Sequence, residues 1–145
     1  MFSDLIRRLT APEPQTLPDT DARLALGALL VRLARTDGEY ATSEIAQIDA
    51  SLMQRYQLSE TEAATLRTEC EALETQAPDT VRFTRAIKEA VSYEDRLGVM
   101  EALWAVALAD GNRDNEEDSM MRMTASLLGV TDQDSHRARL KVSAG

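Results

Sequence analysis

Residues 33–44, which read LARTDGEYATSE, and residues 106–117, which read VALADGNRDNEE, carry the pattern that decides the fold of this chain. In both stretches an apolar segment runs into Asp-Gly, and a Glu follows after a short polar stretch. Asp37 pairs in this way with Asp110, and Glu44 pairs with Glu117, so the pattern recurs after about half the chain. A repeat of this length predicts two related helical halves.

Helical spacing extends to both sides of the two stretches. Apolar residues recur every three or four positions, and the glycine after each Asp suits the left-handed residue that ends a helix. Capping patterns at Ser59 to Glu62 and at Thr131 to Asp134 predict further helix starts. With six aromatic residues in 145, Leu, Ala, Met and Val must build the core. The sequence predicts an all-α, single-domain bundle of seven or eight helices with two internally related halves.

The N-terminal segment differs in composition from the rest. Residues 2–9 have the spacing of a short amphipathic helix, with Phe2, Leu5, Ile6 and Leu9 on one side. Three prolines then exclude a continuous helix, because each lacks a backbone N–H. We therefore expect residues 1–18 to form a short helix and a Pro-rich linker, and residues 19–145 to form the helical domain.

Charge and composition limit the classes of partner. The net charge of -9 argues against binding to nucleic acid, which needs a concentrated face of Lys and Arg. The apolar runs are too short and too often interrupted for a bilayer span of about 20 residues. There is no secretory signal pattern, and the single Cys70 offers no intramolecular disulfide. These features predict a cytoplasmic protein without membrane insertion.

The paired pattern Ala-x-x-Asp-Gly, followed six residues after the Gly by Glu, resembles the TerB-like family. The family is named after a tellurite-resistance protein, and it includes a related part of the co-chaperone DjlA. The resemblance covers about residues 20 to 140. It implies a compact helical bundle, a divalent-cation site in the acidic turns, and a role in stress or chemical resistance. Carried over residue by residue, the acidic positions are Asp37, Glu44, Asp110 and Glu117.

These four carboxylates suit hard cations such as Ca²⁺ or Mg²⁺, which prefer oxygen ligands. The site is not an EF-hand, because Gly follows the Asp directly and Met121, not Glu, stands at the end of a twelve-residue loop from Asp110. A second interpretation stays open, in which Asp-Gly only ends one helix and the Glu only stabilises the start of the next.

Catalysis is not expected. The sequence lacks a Gly-rich phosphate loop and a Gly-x-Ser-x-Gly motif, and nothing in it indicates an organic cofactor. His136 is expected at the surface and Cys70 in the core. Binding of another protein is the main alternative to cation binding, through an adaptable surface formed by Trp104, Met120, Met121 and Met123. Core packing is the competing interpretation of those methionines.

Overall fold

The computed structural model describes residues 5–7, 19–36, 40–76, 80–109 and 115–144. Within these ranges every regular element is a helix: α1, of which residues 5–7 are described, and α2 (Asp19–Ala34), α3 (Thr42–Tyr56), α4 (Glu60–Gln76), α5 (Thr80–Ala90), α6 (Tyr93–Ala107), α7 (Asn115–Leu127) and α8 (Asp132–Ala144). None of these helices is long and apolar enough to cross a membrane. The prediction of an all-α bundle of seven or eight helices is confirmed.

Helix α2 is the central element. Its buried side chains surround the helix and do not form a single stripe: Leu24, Ala25, Leu26, Ala28, Leu29, Leu30, Val31, Leu33 and Ala34. A helix that is apolar on all sides must be enclosed by other elements. Accordingly, α2 packs against α3, α4, α5, α6 and α7, most extensively against α4. Leu26, Leu29, Leu30 and Leu33, which helical spacing in the sequence places on one face, are thus part of a larger buried surface.

The second half is organised around α6 and α8. These two helices pack closely together, and α6 contributes Val99, Met100, Leu103 and Trp104 to the core. Contacts between α2 and α6 join the two halves. In each half, the helix that precedes the Asp-Gly sequence packs on the helix that begins at the capping motif: α2 packs on α4, and α6 packs on α8. The common origin of the halves stays a prediction from the sequence.

Corresponding helices of the two halves end in the same way. After α3, Gln57 adopts the left-handed conformation with φ 58°, and the Leu58 N–H donates to Met53 O. After α7, Gly129 has φ 73°, and the Val130 N–H donates to Ala125 O. Both arrangements are Schellman motifs, which satisfy carbonyl groups that the end of a helix leaves without partners.

Helices α4 and α8 begin with hydroxyl caps, as predicted, and α6 begins with one as well. Ser59 Oγ accepts from the Glu62 N–H, and the Glu62 carboxylate accepts from the Ser59 N–H, which completes a capping box at α4. At the start of α8, Thr131 Oγ1 accepts from the Asp134 N–H at 3.1 Å. Ser92 caps α6 by accepting from the Asp95 N–H. Local hydrogen bonds therefore set these three helix starts.

A glycine lets α2 and α4 approach closely. A Cβ atom added to Gly27 would overlap Cys70 Sγ, so the thiol of α4 occupies the space that a side chain on α2 would need. Cys70 is fully buried, which confirms the expectation of a small core residue. Burial raises the pKa of this thiol to about 12.

Two details of the packing differ from the sequence analysis. Met123, expected to face inward, is 45% exposed, because the buried face of α7 includes Met120, Met121, Thr124 and Ala125. Leu5, in the segment that the sequence analysis places before residue 19, is buried in the core, and the domain boundary stays a prediction. Phe2, Leu9 and the Pro-rich linker lie outside the described residues.

The two Schellman motifs predict opposite effects of substitution. Gly129→Ala would place a Cβ 3.1 Å from Arg96 Nη1 at a positive φ, so we expect unfolding free energy to fall by about 1–2 kcal/mol. Gln57→Gly relieves the same strained conformation at the corresponding position, so stability should rise or stay unchanged. Urea unfolding of both variants tests this, and equal losses would contradict it.

The Cys70 thiol predicts a loss of stability at high pH. Its pKa is about 12 when folded and has an ordinary value of 9.0, so above about pH 9 the unfolded chain releases a proton that the folded chain retains. Stability should therefore fall more steeply between about pH 9 and 12 in the wild type than in Cys70→Ala. Urea unfolding across this window measures the difference, and parallel curves would contradict the prediction.

Candidate functional site

The structure describes the predicted metal ligands to different extents. Glu44 lies in the first turn of α3 and is described in full. Glu117 belongs to α7, but its side chain lies outside the described part, as do Asp37 and Asp110 entirely. What the structure adds is therefore the geometry of the helices that flank the two acidic turns, together with the surroundings of Glu44.

Glu44 is a buried carboxylate at a helix start. The residue is 1% exposed, and its Oε1 accepts from the Ala41 N–H at 3.1 Å. Ala41 has no side-chain acceptor, so the reciprocal bond of a capping box cannot form. The partial positive charge at the N-terminus of α3 favours an ionised carboxylate at this position. Glu44 thus has a structural role that the second interpretation anticipated.

Contacts at one end of the bundle show the relative directions of α2, α3 and α6. Ala22 and Arg23 of α2, Tyr56 of α3 and Asp95 of α6 line a single groove of about 270 Å³, and the Arg23 guanidinium lies 4.6 Å from the centre of the Tyr56 ring. Helices α2 and α6 therefore start where α3 ends. Because the three helices have 15 or 16 residues, α2 and α6 both end near the level at which α3 begins.

A side-chain contact adds α7 to this second end. Thr36 Oγ1 lies 2.8 Å from Met120 Sδ. Thr36 directly precedes Asp37, and Met120 lies three residues after Glu117, which is about one helical turn. The ends of α2 and α6 and the starts of α3 and α7 consequently lie at the same end of the bundle. The helices that flank the two acidic turns are therefore neighbours.

Among the side chains that the structure describes, no group of three or more His, Cys, Asp or Glu residues is placed to hold a metal ion. Glu44 is among these described side chains, whereas those of Asp37, Asp110 and Glu117 are not. The grouping of Glu44 with Asp37, Asp110 and Glu117 stays a prediction.

An ion-pair cluster lies beside the first acidic turn. Glu74 of α4 accepts from Arg32 of α2 and from Arg35, which directly follows α2; its Oε2 lies 3.2 Å from Arg32 Nε and its Oε1 2.6 Å from Arg35 Nη1. The Glu74 side chain is 14% exposed, so solvent screens these pairs only in part. The contact fixes the end of α2 against α4, two residues before Asp37.

A second set of polar contacts continues from this cluster. The Tyr40 hydroxyl donates to Glu71 Oε2 at 2.7 Å, and Arg67 donates to both Glu71 and Asp49. Burial and the hydrogen bond to the Glu71 carboxylate raise the pKa of Tyr40 above its ordinary range. The Arg35 guanidinium lies 4.9 Å from the centre of the Tyr40 ring. The residues on both sides of the Asp37–Glu39 segment are thereby tied to α4 and to each other.

The sequence analysis missed these two polar clusters, although part of the signal was present. Arg32 and Arg35 are three residues apart at the end of α2 and just after it, and Glu71 and Glu74 have the same spacing on α4. Residues with this spacing lie on one face of a helix. Matching opposite charges between helices required knowledge that α2 packs on α4, which the sequence pattern alone does not provide.

Comparisons with known proteins identify the family. No curated protein and no solved structure matches the chain. The family model described as tellurite resistance protein TerB matches residues 23–140. This match begins within α2, ends within α8 and includes both Asp-Gly sequences. The chain therefore belongs to the TerB family.

Proposed function

We propose that this protein is a non-catalytic acidic module that binds a divalent cation through its two Asp-Gly turns. Membership of the TerB family makes this protein a helical module related to tellurite resistance. In the proposal, Asp37 and Asp110 supply oxygen ligands from the ends of α2 and α6. Glu44 and Glu117 supply oxygen ligands from α3 and α7. The proposed cellular role is binding during stress or chemical resistance in the cytoplasm.

The contact between Thr36 and Met120 is the observation that carries this proposal. It joins the residue before Asp37 to the helix that carries Glu117, across the two halves of the chain. Together with the common direction of α2 and α6, it supports a gathering of both acidic turns at one end of the bundle. A repeat whose turns lay at opposite ends would have no means of forming a shared site.

Electrostatics favour a cation at such a place. Two carboxylates about 5 Å apart repel each other by about 3 kcal/mol at an effective dielectric constant near 20. The neighbouring guanidinium groups of Arg32 and Arg35 both pair with Glu74, so this carboxylate compensates one of their two positive charges. Glu44 is withdrawn from water. A bound cation would offset the repulsion between the acidic turns.

The type of ligand favours Ca²⁺ or Mg²⁺. Both ions prefer carboxylate and carbonyl oxygen, whereas zinc sites usually contain Cys or His. Cys70 is buried between α2 and α4, and its raised pKa keeps the thiol protonated. His136 lies on α8, which is not among the elements that flank the acidic turns. Neither residue is therefore part of the proposed site.

One observation favours a second candidate function, a protein-binding module without metal. Glu44 already accepts the Ala41 N–H, as expected of a carboxylate that only stabilises a helix start. In that case the acidic turns end helices, and the negative surface selects a basic partner protein. Met123, which is exposed on α7, would be available to such a partner.

Thermal unfolding distinguishes cation binding from its absence. Ca²⁺, Mg²⁺, Mn²⁺ and Zn²⁺ are added in turn to chelator-treated protein. We expect Ca²⁺ or Mg²⁺ to raise its stability. At about 100 times the dissociation constant the gain is about 2.7 kcal/mol, which corresponds to a rise of several degrees in midpoint. The Asp37→Asn/Asp110→Asn variant should lose this response.

A matched control removes the same number of charges elsewhere. Glu69 and Glu89 are exposed on α4 and α5, so the Glu69→Gln/Glu89→Gln variant should keep the full response to the cation. Loss of the response in this control would indicate a general charge effect. Absence of any stabilisation in the wild type would reject the cation site and leave the protein-binding candidate.

Glu44→Gln separates the structural role of Glu44 from ligand binding. Glutamine retains an oxygen that can accept the Ala41 N–H, so the metal-free variant should lose no more than about 1 kcal/mol of stability. Glutamine lacks the negative charge, so the affinity for the cation should fall at least about tenfold. Isothermal titration and urea unfolding measure the two effects. An unchanged affinity would exclude Glu44 as a ligand.

A further inference from the structure

A groove on the second half of the bundle, far along the sequence from the first acidic turn, combines cationic and aromatic side chains. It has a volume of about 520 Å³ and lies between α6, α7 and α8. Its lining consists of Trp104, Met121, Arg122, Asp132, Ser135, His136 and Arg139. Volumes of about 300–1,000 Å³ are typical of sites for small molecules.

The charge of this groove is opposite to that of the whole protein. Arg122 and Arg139 contribute two positive charges and Asp132 one negative charge, whereas the chain carries -9. Among the described residues, neither arginine forms an ion pair with a carboxylate, in contrast to Arg32, Arg35 and Arg67. Asp132 lies in the first turn of α8, where the helix N-terminus compensates its charge.

The aromatic wall of the groove is held in a defined orientation. The Trp104 indole N–H donates to Ser135 Oγ at 3.2 Å, and both residues are buried. The Arg139 guanidinium lies 5.3 Å from the centre of the Trp104 ring, within the range of a cation–π contact. This contact positions the guanidinium at the groove without neutralising its charge.

We propose that this groove binds a small organic anion, a carboxylate or phosphate attached to a flat or apolar body. Arg122 and Arg139 bind the anionic group, because the planar guanidinium matches the oxygens of both groups. His136 adds a further polar group on the exposed side. The apolar body packs against the part of Trp104 that lines the groove. The site is independent of the cation proposed at the acidic turns.

Trp104 is the only tryptophan in the sequence, so intrinsic fluorescence reports directly on the groove. The probe is phenyl phosphate, with phenol and inorganic phosphate as partial analogues. We expect a saturable fluorescence change with a dissociation constant of roughly 1 mM or lower. Phenol and inorganic phosphate should each bind more weakly, because phenol lacks the anionic group and inorganic phosphate lacks the apolar body. Added salt should weaken the binding of phenyl phosphate.

Two arginine substitutions provide a matched pair. Arg122→Gln removes a charge from the groove and should weaken phenyl phosphate binding about tenfold. Arg137→Gln removes the same charge from a side chain on α8 that is 73% exposed and pairs with Asp134, outside the groove, and should leave binding unchanged. Circular dichroism and midpoint temperature verify that both variants fold, which is expected because both arginines are exposed.

Three results would overturn the proposal. The first is a wild type that shows no saturable response to phenyl phosphate. The second is phenol or inorganic phosphate binding as tightly as phenyl phosphate, since the anionic group or the aromatic wall would then contribute nothing. The third is equal weakening by Arg122→Gln and Arg137→Gln, because binding would then depend on overall charge.

Discussion

Helix α2 lies at the centre of the fold, and the need to bury it on all sides constrains the positions of the helices around it. Each buried leucine on α2 contributes about 1.5–3 kcal/mol only when it is removed from water, so five neighbouring helices contact this one element. Gly27 permits the close approach of α4, where Cys70 fills the missing side-chain volume. The direction of α2 then determines which loops share an end of the bundle.

That constraint connects the core to the candidate cation site. Helices α2 and α6 run in the same direction, so their described ends lie at the same end of the bundle as the starts of α3 and α7. Arg32, Arg35 and Glu74 fix the last turn of α2 at this end. Bound cations are most readily held where the supporting helices are rigid, and the polar contacts around Glu71 and Glu74 supply such support.

The bundle also separates two electrostatic environments. Glu44 and the acidic turns are associated with the starts of α3 and α7, whereas Arg122 and Arg139 face a groove between α6, α7 and α8. An acidic protein with a locally cationic groove can select ligands of opposite charge at separate surfaces. Because α7 carries both Glu117 and Arg122, it is the element that these two regions share.

The sequence alone determined the all-α fold, the starts of α4 and α8, and the family pattern. These features depend on local spacing and capping residues, which are readable from neighbouring residues. Tertiary structure alone decided that Met123 is exposed, that Glu74 joins Arg32 to Arg35, and that Arg122 and Arg139 share a groove with Trp104. These features depend on which helix faces pack together, and contacts between residues distant in sequence determine that choice.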